Sequence, residues 1–224
     1  MKTSLIIPAY NEESTIEEII LNAKKYVDEL IVVVAKKSKD KTFEIASSLA
    51  NKCIIDYGLG KGAALKLGVA NTNGDIIIFM DSDGSHDSND IPKLLAPIKN
   101  KGVDLVVGSR ALGGSDELHG TLGEFIRNAG GAVVMLCINY FYGVRFTDCE
   151  NGFRAIKKTV FNDLKLKAND FDIEQEMFIK ALKRKYRVLE VPSHEYARKF
   201  GKSKLSPLKI GWKFVYRLII SFFD

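Results

Sequence analysis

Short apolar, β-branched runs recur through the first half of the chain, at Leu5–Ile7, Leu30–Val34, Cys53–Ile55, Ile76–Met80 and Leu105–Val107. Runs of this length, bounded by polar and turn-forming residues, predict buried strands. The stretches between them carry helical periodicity. Ile16, Ile19, Ile20 and Ala23 follow the i, i+3, i+4, i+7 spacing of a core-facing helix, and Ser14 with Glu17 predicts a capping box at its start. Pro92 suits the first turn of a later helix, where its missing N–H costs nothing, and Gly102 suits that helix's end. Alternating strands and helices of this kind predict βαβ units around a mostly parallel, Rossmann-like sheet. Beyond residue 110 the rhythm changes. A Gly-rich loop (Gly113, Gly114, Gly120, Gly123) precedes a long helix from about Glu124 to Tyr142, a strand-like segment at Phe153–Ile156, a helix from about Asp172 to Lys185, and a last apolar run at Arg187–Val191. With no internal repeat or low-complexity linker, the pattern predicts one α/β domain with an elaborated C-terminal third.

At 224 residues the chain is long enough for one large domain, or one domain and a tail. Hydrophobic residues at 46% and charged residues at 27%, with five prolines, exclude a disordered or collagen-like chain. The net charge of +5 is too mild to imply a nucleic-acid partner. Its distribution matters more: Arg198, Lys199, Lys202, Lys204, Lys209, Lys213 and Arg217 crowd into one stretch without an acid. Cys53, Cys137 and Cys149 are an odd number without a CxxC pair, which argues against a disulfide framework or zinc site and for a reducing, cytoplasmic compartment. His86, His119 and His194 share no metal-ligand spacing. No signal peptide is expected. The longest apolar stretches, around Ala132–Val144 and Ile210–Phe223, fall short of the ~18–20 residues of a spanning helix.

In an open α/β sheet, ligands bind beyond the carboxyl ends of the strands, so the residues following each apolar run carry the candidate chemistry. The first run is followed by Pro8-Ala9-Tyr10-Asn11-Glu12, the fourth by Asp81-Ser82-Asp83, and the fifth by Gly108-Ser109-Arg110. Two carboxylates two residues apart on a turn suit Mg²⁺ or Mn²⁺, which commonly binds through one or two carboxylates plus substrate phosphates. Taken alone the pair is common, and a solvated turn ahead of the helix near Ile91 is its plainer reading. Gly60-Lys61-Gly62 offers a cation beside a tight turn, and a turn before a helix accounts for its glycines as well as phosphate binding does. Taken together, Tyr10, Lys61 and the acid pair are the parts needed to hold a nucleoside diphosphate.

These pieces, with Asp148-Cys149-Glu150-Asn151-Gly152-Phe153-Arg154, Glu190-Val191-Pro192 and Arg198-Lys199-Phe200-Gly201-Lys202-Ser203-Lys204, occur in an order that resembles the family 2 glycosyltransferases of GT-A fold. Within them the chain looks like the polyprenol-phosphate (dolichol-phosphate) sugar transferases, from Pro8 to about Leu205. The resemblance implies a GT-A domain over residues 1–205. It also implies that Pro8, Tyr10 and Glu12 contact the nucleoside, that Lys61 is a cation near the diphosphate, and that Asp81 and Asp83 hold Mg²⁺ or Mn²⁺ and the diphosphate. Arg110 and Arg127 would bind the acceptor's phosphate, and Asp148, Arg154 and Glu174 would shape the acceptor pocket. Arg198 and Lys204 look like a basic segment closing over the diphosphate. One departure stands out: where the family usually has an Asp-Asp-Gly-Ser run after the second strand, this chain has Ala35-Lys36-Lys37-Ser38.

The implied partners are a nucleotide-sugar donor, a polyprenol or dolichol phosphate acceptor and a membrane surface, with no nucleic acid. A hydroxyl acceptor would need a general base, for which Asp148 and Glu174 are the candidates; a phosphate monoester is already anionic and needs positioning by arginine. A catalytically silent binding subunit is the rival from outside enzymology, motivated by Ala35-Lys36. Over residues 206–224, Trp212, Phe214, Val215, Leu218, Ile219, Phe222 and Phe223 interleave with Lys209, Lys213 and Arg217. That pattern suits a helix lying in a membrane interface, or one packed on its own domain.

Overall fold

The computed structural model describes residues 1–116, 122–198 and 214–221, without the side chains of residues 122–128. Its elements in chain order are β1 (Thr3–Ala9), α1 (Ile16–Ala23), β2 (Glu29–Val34), α2 (Thr42–Leu49), β3 (Lys52–Ile55), α3 (Lys61–Ala70), β4 (Ile76–Phe79), α4 (Ile91–Lys101), β5 (Leu105–Ser109), α5 (Arg110–Gly113), α6 (Leu122–Tyr142), β6 (Arg154–Lys157), α7 (Lys158–Leu164), α8 (Ile173–Lys183), β7 (Val188–Pro192) and α9 (residues 214–221). The strands form one sheet in the order β3-β2-β1-β4-β6-β5-β7. β6 pairs antiparallel with both β4 and β5, and every other pairing is parallel. The mostly parallel α/β sheet expected from the sequence is therefore present.

Period-two alternation divides the strand residues between two buried layers. On one face Leu5, Ile7, Leu30, Val32, Ile76 and Ile78 pack with Ile16, Ile19 and Ile20 of α1 and Leu94 and Ile98 of α4. On the other, Ile6, Ile31, Val33, Ile77 and Phe79 pack with Leu65 and Val69 of α3, Phe161 of α7 and Met177 and Phe178 of α8. Each such side chain contributes about 1.5–3 kcal/mol when fully buried. This double covering fixes the carboxyl edge on which the site is built.

α4 opens with Pro92 in its first turn and ends at Gly102, whose φ of +65° is left-handed, as the sequence predicts. The capping box does not form. α1 begins at Ile16 behind Thr15, without a side-chain cap, and Ser14 and Glu17 are exposed. Thr15 instead donates its hydroxyl to the Ser82 carbonyl at 2.7 Å, so a long-range bond from the Asp81–Asp83 turn sets where the helix starts.

At the other end of the chain, α9 packs on its own domain: Leu218 is buried in the second layer, and Arg217 pairs with Asp172 at 2.7 Å and Glu176 at 3.6 Å. Its opposite face exposes Val215, Tyr216 and Ile219. The rest of the expected 206–224 helix, including Trp212, lies outside the described residues. Among the described residues no helix is long and apolar enough to cross a membrane.

Candidate active site

β4 delivers Asp81 and Asp83 to the carboxyl edge, and the turn between them is tied to its neighbour strand by the Ser82 hydroxyl, which donates to the Pro8 carbonyl at 2.9 Å. Asp83 accepts from the Ser85 backbone N–H at 3.1 Å and hydroxyl at 2.6 Å, and its other oxygen meets Arg198 at 3.1 Å. Asp81 pairs with Lys61 Nζ at 2.6 Å, and the same ammonium pairs with Glu174 at 2.9 Å. Burial alone would push the Asp81 carboxyl up, but Lys61 and the nearby His86 imidazole override it and hold it well below the usual carboxylate range. Burial likewise opposes the charge on Lys61, and the two acids override it and hold the ammonium protonated. Glu174 is thus a buried partner of Lys61.

The glycines around Lys61 are explained by packing. A Cβ at Gly60 would lie 2.5 Å from the Asn169 carbonyl oxygen, and one at Gly62 2.8 Å from that of Ala168. Their absence lets the start of α3 nest against residues 168–170, which points Lys61 at Asp81.

Arg110 opens α5 at the end of β5, where the Ser109 hydroxyl accepts from the Leu112 N–H. Its guanidinium grips Asp148 in a fork, Nε to Oδ2 at 2.6 Å and Nη2 to Oδ1 at 3.0 Å, and its Nη1 lies 3.5 Å from Glu195. Burial would raise the Asp148 carboxyl, but the Arg110 fork and two backbone donors keep it below its ordinary value. Asp148 also caps its own loop, accepting from the N–H groups of Glu150 and Asn151 at 3.0 and 3.1 Å. Glu190 clamps that loop from β7 by accepting from the N–H groups of Thr147 and Asp148.

Arg154 sits beneath the loop that precedes it. It is completely buried and donates to the carbonyls of Asn151, Glu174 and Cys149 at 2.9, 2.8 and 2.9 Å. With these donors directed at backbone carbonyls, it braces the 148–154 loop from within. The loop it braces touches the acid pair: a Cβ at Gly152 would lie 2.7 Å from Asp81 Oδ2 and 3.0 Å from Lys61 Nζ.

Lys61 thus joins Asp81 and Glu174, Arg198 meets Asp83 on the same turn, and Arg110 and Asp148 form a separate pair. Tyr10 is exposed just beyond β1, and the Glu12 N–H donates to Thr42 Oγ1 at 2.8 Å. The Arg127 side chain and Lys204 lie outside the described residues. Two acids escaped the sequence reading. Asp56, at the end of β3, accepts from the N–H of Lys36 at 2.7 Å and of Gly58 at 2.8 Å, beside the stretch where no acid follows β2. It directly follows an apolar run, the criterion that singled out Asp81, so the signal was present. Glu195 had none, because only the tertiary fold brings it to Arg110.

The donor set at Asp81 and Asp83 fits a hard divalent cation such as Mg²⁺ or Mn²⁺. Both are oxygen ligands at a strand end, each faces a cation, and the buried His86 imidazole beside Asp81 lacks a hydrogen-bond partner. Among the described residues no group of three or more His, Cys, Asp or Glu side chains comes together as a metal cluster.

In this mostly parallel sheet the Asp81–Asp83 turn follows β4 beside β1, at the point where the strand order reverses. The family model for glycosyl transferase family 2 matches residues 4–165, and the chain belongs to that family of glycosyltransferases. It is 34% identical over 231 residues to the dolichol-phosphate mannosyltransferase of Pyrococcus furiosus, covering 98% of this chain and 64% of that protein. It is also 29% identical over 239 residues to the UDP-N-acetylglucosamine–dolichyl-phosphate N-acetylglucosaminyltransferase of Methanococcus voltae, covering 96% of this chain and 94% of that one. Its fold is GT-A, like that of glucosyl-3-phosphoglycerate synthase from Mycobacterium tuberculosis, which superposes with a TM-score of 0.77 at 23% identity over 98% of this chain and 78% of that one.

Proposed function

We propose that this glycosyltransferase moves a hexose or N-acetylhexosamine, with inversion, from a GDP- or UDP-sugar to polyprenol phosphate at the cytoplasmic face of a membrane. The observation that carries the reading is the pairing of the acids. Asp148 is held by the Arg110 fork and Glu174 by Lys61, so both of the two sequence-level base candidates are already engaged in ion pairs. A hydroxyl acceptor requires such a base within ~3 Å. A phosphate monoester, with a second pKa near ~6, does not. The names of the relatives from Pyrococcus and Methanococcus, both dolichyl-phosphate sugar transferases, support the same acceptor.

In this reading Asp81 and Asp83 hold the metal, with Lys61 orienting the Asp81 carboxylate and Ser85 orienting Asp83. Bound Mg²⁺ or Mn²⁺ supplies Lewis-acid stabilisation of the departing diphosphate. Pro8, Tyr10 and Glu12 bound the nucleoside, Arg198 and Lys204 approach the diphosphate, and Arg110 and Arg127 position the acceptor phosphate. The exposed Val215, Tyr216 and Ile219, with the basic stretch before them, rest on the membrane. The UDP-bound, Mn²⁺-bound form named for the Mycobacterium neighbour is consistent with a nucleotide and metal at this edge.

The test offers labelled UDP- and GDP-sugars with polyprenol phosphate and Mn²⁺ and measures organic-soluble product. One donor should give product that EDTA abolishes and that Asp83→Asn reduces severely. Transfer only to hydroxyl acceptors, or turnover indifferent to EDTA, overturns the reading.

A further inference from the structure

Arg110 meets two acids before any ligand arrives. Asp148 takes its Nε and Nη2, which leaves Nη1, and that nitrogen faces Glu195 Oε1 at 3.5 Å. The second Glu195 oxygen accepts from the Ser115 hydroxyl at 2.6 Å. The Glu195 backbone is locked, because its N–H donates to the Gly114 carbonyl at 3.0 Å and its carbonyl accepts from the Asp116 N–H at 2.8 Å. Only the side chain is free to move.

The two acids are held unequally. Asp148 has short contacts to the guanidinium and accepts from two backbone N–H groups, so displacing it would orphan buried donors. Glu195 reaches Arg110 through one long contact and has Ser115 as a second anchor. One guanidinium facing two carboxylates has no net charge to offer a third anion. For a phosphate to reach the open edge of Arg110, Glu195 must yield.

We propose that Glu195 is a charge gate for the acceptor. In the resting protein its carboxylate occupies the Nη1 edge of Arg110 that the acceptor phosphate takes on binding, and it swings aside while its backbone stays fixed. This makes Glu195 a specificity-determining residue that lowers acceptor affinity and penalises weakly charged lipids, which cannot displace it. The inference rests on the polyprenol-phosphate reading above.

The experiment titrates farnesyl phosphate, a short water-soluble acceptor, into the full chain calorimetrically, and separately titrates UDP and GDP with Mn²⁺. Glu195→Gln keeps the shape and the Ser115 contact but removes the charge. It should bind farnesyl phosphate about tenfold tighter, equivalent to about 1.4 kcal/mol, with a matching fall in KM for that acceptor and little change in nucleotide affinity. Glu195→Ala, which also removes the side chain's reach, should tighten binding in the same direction. A merely structural role would instead weaken binding and lower the thermal midpoint. Unchanged or weaker farnesyl phosphate binding in both variants, with the wild type binding it, overturns the gate and leaves the acceptor reading standing. If the wild type and both variants ignore farnesyl phosphate while glycosylating a hydroxyl acceptor, the gate and the acceptor reading fall together.

Discussion

Gly152→Ala perturbs the candidate site by a single methyl group. The added Cβ would sit 2.7 Å from Asp81 Oδ2 and 3.2 Å from Asp81 Cγ, so the carboxylate must retreat by about half an ångström or more to reach ordinary van der Waals separation. Asp81 has little freedom to do so, because Lys61 holds its other oxygen at 2.6 Å and is itself anchored on Glu174. Gly152 does not have a positive φ, so the substitution brings no backbone strain, and the unfolded chain loses entropy worth about 0.4–1 kcal/mol in favour of folding. That gain offsets part of the crowding, which costs about 1–3 kcal/mol in a packed site, so the net loss of stability should stay within about 2–3 kcal/mol. Catalysis is less forgiving. A misplacement approaching an ångström costs on the order of 100-fold, so kcat/KM should fall about 10- to 100-fold. Gly131→Ala is the control, since its Cβ would meet Glu150 no closer than 3.5 Å. Steady-state transfer assays, thermal melts and Mn²⁺ titrations on both variants give the three readouts. A fully active Gly152→Ala, or a loss of activity explained by a collapsed thermal midpoint, would refute the view that this loop sets the position of Asp81.

Lys61→Met leaves Asp81 and the nearly buried Glu174 without their shared cation, and breaking a buried pair in this way costs about 3–5 kcal/mol. Urea denaturation should show that loss, with Lys61→Met/Glu174→Gln recovering a substantial part of it; a double variant no more stable than the single would sink the assignment. His194 is raised above its ordinary value of 6.5, first by its hydrogen bond to Asp116 and then by the Gly113 carbonyl. A raised histidine stabilises the fold most fully below pH 6.5, and that contribution is lost as pH rises through the folded-state value. An NMR titration of its ring protons should therefore give a midpoint above 6.5 that falls in Asp116→Asn, and a wild-type midpoint at or below 6.5 contradicts the pairing.

What was legible in the sequence was local. Each apolar run became a strand because β-branched residues flanked by turns have few alternatives, and the residue after a run could be read as lying at the carboxyl edge without knowing strand order. Pairing was not legible. Nothing in Arg154-Ala155-Ile156-Lys157 says that it enters antiparallel between β4 and β5, since that register depends on partners far apart in the chain. The same limit explains the individual misses. Ser14 and Glu17 have the spacing of a capping box, but the Ser82 carbonyl, brought near only by the fold, captures Thr15 and moves the helix start. The resemblance gives Arg154 a part in shaping the acceptor pocket, and what the chain alone does not tell is that two carbonyls of its own loop and that of Glu174 on α8 surround it. Glu195 follows no apolar run, and its significance comes from the fixed backbone that sets it opposite Arg110.

These side chains share a physical logic. A bare carboxylate pair or an unpaired guanidinium at a half-buried edge would be costly, and at rest each of these charges faces at least one of opposite sign. The pairs differ in how readily they exchange. The Lys61 couple is short, shared between two acids and shielded on one side by Glu174, so it serves as a fixed frame. The contacts of Arg198 with Asp83 and of Glu195 with Arg110 are longer, at 3.1 and 3.5 Å, and each joins residues after β7 to the edge formed by β4 and β5. On the proposed function, the segment after β7 carries both exchangeable charges: a cation released toward the donor side and an anion released from the acceptor side. Binding at this edge would then swap charges instead of adding them. The affinity for either substrate becomes a difference between two ion pairs, which is why removing the weaker resident anion at Glu195 should strengthen acceptor binding while removing the fixed cation at Lys61 should damage the frame.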